Sequence, residues 1–217
     1  MNEARYFCSW SGGKDSCLAF HRALARDCRI ESLFCMLCED GLHSRSHGLP
    51  KSVLQKQAEA AGLPIEFAAA SWADYESVFI SKMKELGGRG ISSGVFGDID
   101  IVAHRQWEEK VCGAAGMAAS LPLWQENRDE LLGEFISAGF KAMIVTVNES
   151  MLDDSWLGRT LDHDSAQELT ALGVDACGEN GEYHTFVYDG PVFRNKIDFV
   201  TKEIVKRNGY ASIRIDG

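Results

Sequence analysis

The chain has 217 residues, with 32 acidic and 22 basic side chains and a formal net charge of −10. That balance argues against nucleic acid as a partner, because phosphate contacts need clustered Lys and Arg. No apolar run approaches membrane-spanning length, and Met1-Asn2-Glu3-Ala4-Arg5 has no signal-peptide pattern. Seven cysteines without paired spacing read as reduced thiols of a cytoplasmic protein.

The first predicted element is a buried strand at Tyr6-Phe7-Cys8. A glycine loop follows, Ser9-Trp10-Ser11-Gly12-Gly13-Lys14-Asp15-Ser16, and then a helix with an apolar face from Cys17 to Leu24. Glycines reach backbone angles that other residues avoid. Their N–H groups, with those opening the helix, make a concave anion nest. Lys14 adds a full positive charge, and the serines add hydroxyl donors. The spacing is not that of the common P-loop, which needs four residues between its first glycine and Gly-Lys-Ser/Thr. The bland alternative is a strand–helix turn that holds no ligand.

The alternation continues with a strand at Glu31–Leu37 and a polar loop from Cys38 to Leu49 carrying His43, Arg45 and His47. Next come a helix at Lys51–Ala61, a strand at Ile65–Ala69, a helix at Trp72–Leu86, a strand at Ile91–Phe96 ending in Gly97-Asp98, and a helix from about Ile99 to Ala114. This βαβα order predicts an α/β doubly wound parallel sheet, with ligands at the carboxyl ends of its strands. That edge would hold the glycine loop, the loop after Met36 and the Gly97-Asp98 turn. Cys35 and Cys38 have redox or metal spacing, but half of the pair lies in a buried strand, so packing is the simpler reading.

A boundary is placed near residue 120, giving an N-terminal nucleotide-type domain (1–120) and a smaller α+β domain (121–217). The second part is read as a turn at Leu121–Trp124, a helix at Arg128–Ala138, a strand at Phe140–Val147, a helix at Asp162–Leu172 capped by Asp162 or Asp164, and terminal strands at Phe186–Tyr188 and within Lys196–Ile215. Between them, Glu179, Glu182 and His184 crowd into six residues. Two readings stay open. Asn180-Gly181 is a favoured hairpin turn, which would leave both glutamates as solvated flanks. Alternatively, the carboxylates hold an amine, an ammonium ion or a metal, and His184 moves a proton.

The Ser-Gly-Gly-Lys-Asp-Ser order resembles the pyrophosphate-binding loop of the PP-loop ATPases, which typically split ATP to AMP and pyrophosphate. More of the chain resembles the diphthine–ammonia ligase family. Gly97-Asp98-Ile99 with Arg105 and Glu108–Cys112 matches its middle block, and Pro122-Leu123-Trp124 with Leu131-Leu132 another. Leu157-Gly158-Arg159 and Cys177-Gly178-Glu179 through Asp189–Phe193 complete the likeness. The resemblance implies a Rossmann-like HUP domain with a PP-loop, and an enzyme that adenylates a carboxylate and then transfers ammonia to it. It implies ATP contacts from Ser9, Ser11, Gly12, Gly13, Lys14, Asp15, Ser16, Met36, Gly97 and Asp98, with Asp15 also a candidate for Mg²⁺. Lys14, Glu179, Glu182 and His184 are the implied catalytic groups; Asn180, Arg105 and Arg159 are candidates for the substrate. A homodimer is compatible with it.

One departure stands out. Family members that complete diphthamide carry Glu-Gly-Gly-Glu-Phe/Tyr-Glu where this chain has Glu179-Asn180-Gly181-Glu182-Tyr183-His184. The variant resembles a branch in organisms that need not make diphthamide, for which amidation in cobalamin salvage has been suggested by analogy. Reaction type therefore transfers better than substrate. Two other functions compete: a PP-loop sulfur transferase acting on RNA, which would need Cys35 and Cys38, and an ATP-binding module without turnover.

Overall fold

The computed structural model describes residues 4–217; the leader reading at Met1-Asn2-Glu3 lies outside them. Five short strands form a parallel sheet: β1 (Arg5–Ser9), β2 (Arg29–Leu37), β3 (Ile65–Ala69), β4 (Ser93–Val95) and β5 (Ala118–Ser120), in the order β3-β2-β1-β4-β5. The chain winds outward from β1 through β2 to β3, then returns to the other side of β1 for β4 and β5. The switch point therefore lies between β1 and β4, where such sheets leave a crevice at their carboxyl ends. Helices α1 (Lys14–Ala25), α2 (Lys51–Ala61), α3 (Tyr75–Gly88) and α4 (Val102–Ala114) connect the strands.

The sheet is buried on both faces, which is why its strands read as continuous apolar runs. On one face Phe20 of α1 and Leu54 of α2 join a core that also takes in Phe135, Phe140 and Phe186 from the second half of the chain. On the other, Phe7, Phe34, Phe79 and Phe96 pack with Met83 and Val111 of α3 and α4. The two halves thus share one apolar core.

Three boundaries differ from the sequence expectation. Gly87-Gly88 lies inside the end of α3 rather than stopping it. Helix α4 opens at Val102, because residues 98–101 form a loop across the strand ends. β5 lies in residues 115–120, which the sequence reading leaves unassigned. Its Ala118-Ala119-Ser120 has no apolar run to announce it, and pairing with β4 makes it a strand.

The second half adds α5 (Arg128–Ser137), α6 (His163–Ala171) and an antiparallel sheet of β6 (Lys141–Asn148), β7 (Tyr183–Asp189), β8 (Val200–Arg207) and β9 (Tyr210–Asp216), ordered β7-β6-β9-β8. Asn127 caps α5, and Asp162 caps α6 in a capping box with Ser165. β7 is the strand that matters for the site, because it runs beside the glycine loop.

Candidate active site

Residues 10–13 join β1 to α1, and their shape is held from outside the loop. Gly12 has a φ of +80°, and a Cβ there would lie 2.6 Å from Gln57 Oε1. Gln57, on α2, has no exposed surface. Its Nε2 donates to the carbonyls of Gly12 (3.0 Å) and Val187 (2.7 Å), while Trp10 Nε1 donates to its Oε1 at 2.9 Å. The Val187 N–H donates to the Gly12 carbonyl at 3.0 Å. At the mouth of α1, the Lys14 N–H donates to Thr185 Oγ1 at 3.0 Å. Strand β7 and helix α2 therefore clamp the loop, satisfying donors and acceptors that burial would otherwise orphan.

In front of the loop lies a cavity of about 710 Å³. Ser9, Ser11, Lys14 and Asp15 form its floor, Glu179 and His184 come from the second half, and Tyr75, Phe79 and Trp107 build an aromatic wall. Lys14 Nζ donates to both Asp15 oxygens (2.7 and 2.8 Å) and to Glu179 Oε1 (3.1 Å). Burial opposes the Lys14 charge, but the Asp15 and Glu179 carboxylates outweigh it and hold the ammonium well above its ordinary range. Burial pushes Glu179 up to about 7 against the pull of Lys14. A permanent cation thus sits beside a carboxyl that titrates near neutrality.

Two family models cover this arrangement. The diphthamide synthase N-terminal domain matches residues 4–119, and the diphthamide synthase C-terminal domain matches residues 127–216. The chain belongs to the diphthamide synthase family. Its relatives include proteins named diphthine–ammonia ligase. The one from Rattus norvegicus is 30% identical over 226 residues, covering 90% of this chain and 82% of the relative. The one from Homo sapiens is 43% identical over 101 residues (45% and 38%), and the one from Bos taurus 37% identical over 142 residues (63% and 51%). The chain therefore spans between about a third and a half of the human and bovine relatives.

Within this family member, the carboxylates of the Glu179–His184 stretch divide sharply. Glu179 reaches the cavity. Glu182 does not: it has no exposed surface, and its oxygens accept from the N–H groups of Asp175 (3.1 Å) and Asn180 (2.9 Å) and from Asn180 Nδ2 (3.1 Å). Glu182, expected among the catalytic groups, has its carboxylate taken up in closing the 175–182 loop. Asn180 likewise turns away from the substrate space to bond Glu182 and Arg128.

Arg105 and Arg159 also lie outside the cavity lining. Arg105 pairs with Glu109 one helical turn away, and Arg159 stacks 3.9 Å over the Trp156 ring while pairing with Glu168. Met36 is packed in the core, and its carbonyl accepts from the Arg45 N–H at 3.1 Å. Gly97 is needed for close approach, because a Cβ there would lie 2.9 Å from the Asp15 carbonyl carbon. Asp98 lines the cavity and pairs with His104. Cys35 and Cys38 do not line it. Among the described residues no helix is long and apolar enough to cross a membrane.

Sequence reading missed three residues that build the site. Gln57 had a usable signal: a lone amide on the apolar face of α2, beside Val53 and Leu54, has to find buried partners. Thr185 and Arg128 had none. Arg128 binds Asp100 with two nitrogens (2.7 and 2.8 Å) and Asp175 with a third contact (2.6 Å), tying the loop after β4 to the Glu179 loop.

Asp15, Cys177 and Glu179 bring ligand atoms within 4.8 Å of one another. They do not fit a Mg²⁺ ion. Lys14 already neutralises both carboxylates, and burial pushes the Cys177 thiol up to about 12, leaving a protonated soft donor where Mg²⁺ takes oxygen.

Proposed function

We propose that this chain is an ATP-dependent ligase that converts a carboxylate to an amide with ammonia, releasing AMP and pyrophosphate. The observation that carries the reading is the meeting of Lys14 and Glu179, from opposite ends of the chain, 3.1 Å apart on one cavity. In this reading the phosphates of ATP lie on the glycine loop, and Lys14 stabilises charge that develops on the departing pyrophosphate. Any Mg²⁺ arrives with the phosphates rather than on a protein cage. The aromatic wall offers a stacking face to a planar base. Carboxylate oxygen is a poor leaving group until it carries AMP; ammonia then displaces it. Glu179, titrating near neutrality, binds the incoming nitrogen.

The carboxylate is proposed to be a small metabolite rather than diphthine, because His184 replaces the glutamate of the diphthamide-completing members and removes a negative charge from the substrate side. The cavity lining supports the ligase over a sulfur transferase, since it holds neither Cys35 nor Cys38. Product analysis tests the reading. The protein is incubated with Mg-ATP and ammonium, and with either diphthine or a fractionated carboxylate-rich extract, beside Lys14→Ala. The expected result is AMP and pyrophosphate that need both a carboxylate and Lys14. ADP and phosphate would overturn it; ATP bound with no turnover would favour a binding module.

A further inference from the structure

The α4 side of the cavity holds a second group of polar residues, Asp98, His104 and Glu108. His104 Nδ1 lies 2.7 Å from Asp98 Oδ1. The Glu108 carboxyl neighbours Asp98, and burial together with that second carboxylate pushes it up to about 11. Glu108 is 3% exposed, and its Oε2 finds no donor among the described residues. Two carboxylates cannot face each other with both ionised unless a cation lies between them. The orphaned oxygen is satisfied if Glu108 carries a proton and gives it to Asp98. Asp98 is then an anion held from one side by Glu108 and aligned on the other with the imidazole. All three residues line the cavity, and Glu179 faces His104 across it.

With Nδ1–H committed to Asp98, the free nitrogen of His104 is Nε2. This is the orienting logic of a carboxylate–imidazole pair. Building on the ligase reading above, we propose that His104 is the proton acceptor of the amide-forming step, with Asp98 and Glu108 as positioning residues. As the nitrogen of ammonia bonds the acyl carbon, the C–O bond to the adenylate breaks and its electron pair leaves on AMP. One N–H proton passes to His104 Nε2, and the imidazolium is stabilised by Asp98 until it releases the proton to water.

The other imidazoles of the cavity suit this task less. Burial, with Lys14 nearby, drives His184 down to about 4 and His47 well below its ordinary value, so neither holds a proton at neutral pH. Asp98 acts on His104 in the opposite sense and raises it. The titratable groups around His104 are Asp98 from the loop after β4, the protonated Glu108 of its own helix behind Asp98, and Glu179 from the 175–182 loop.

The test separates the two half-reactions. Pyrophosphate exchange into ATP reports adenylation, and amide formation reports the second step, both with diphthine or the active extract fraction as carboxylate probe. Rates are compared at a fixed concentration of unprotonated ammonia. His104→Gln is expected to lower amide formation about 10²-fold and to lower exchange far less. Glu108→Gln, whose amide N–H replaces the shared proton, should fall less than Glu108→Leu. In NMR titration the His104 ring should titrate above 6.5, and Asp98→Asn should bring it down. Amide formation within twofold of wild type in His104→Gln, equal loss of both half-reactions, or a His104 ring titrating at or below 6.5 would overturn the proposal. A wild type that makes no AMP overturns the ligase reading and the role of His104 with it, while the NMR arm separately reports whether the Asp98–His104 pair exists.

Discussion

His184 and His104 approach one cavity from two walls, and their neighbours drive them apart. The β7 wall buries His184 beside the Lys14 ammonium, and both effects strip its proton. The α4 wall sets His104 against Asp98, which favours its charged form. The same side chain is therefore a neutral imidazole on one side and a competent base on the other. A second contrast runs alongside. Glu179 and Glu182 stand three positions apart, yet one reaches Lys14 and the other is locked in backbone contacts. Residue type names the candidates, and the partner of each one decides its task.

The largest effect should come from removing the cation between the walls. Lys14→Ala is expected to reduce AMP formation by at least about 10²-fold. It should also raise the His184 pKa from about 4, because one of the two causes of its depression is gone. Initial rates and histidine NMR titration read the two consequences, and an unmoved His184 would mean that burial alone sets it.

Next comes the split between the glutamates. Glu182→Ala leaves the N–H groups of Asp175 and Asn180 without their acceptor and is expected to cost roughly 1–3 kcal/mol of stability. Denaturant unfolding should show a lower midpoint at constant slope. Glu179→Gln should cost less stability and more activity. Equal stability losses would remove the distinction drawn between these two residues.

His184 has a folded pKa of about 4 against an ordinary value of 6.5. The unfolded chain therefore binds the proton more readily, and folding must exclude it. The stability tied to His184 is fully present above about 6.5 and is lost as pH falls from there toward 4. Melting temperature should drop across that window, and less steeply in His184→Asn. The smallest effect belongs to Arg159→Ala. Losing its contacts with Trp156 and Glu168 should cost about 0.5–1 kcal/mol and leave AMP formation as it was. A fall in the rate would return Arg159 to the substrate site.

Much of the nucleotide half was legible from the chain alone. Helix and strand periodicities located β1 to β4 and α1 to α4 within a few residues, because each buries a regular stripe. The glycine loop was legible because its chemistry is local: anion nest, cation and hydroxyls come from eight consecutive residues. The Glu179–His184 stretch was visible as a site, but its division of labour was not. Nothing in the spacing of Glu179 and Glu182 says which carboxylate faces the cavity.

What the sequence determined by itself was the set of elements and the two stretches that bear chemistry, since both depend on contacts within a few residues. Tertiary structure decided the rest. It placed Thr185 and Val187 against the glycine loop from more than 170 residues away. It sealed the loop with Gln57 and drew Arg128 across to both Asp100 and Asp175. It also set Asp98 against His104, the contact that raises the proton affinity of the imidazole. Charge and hydrogen bonding act through space over a few ångströms, and only the folded chain fixes which groups come that close.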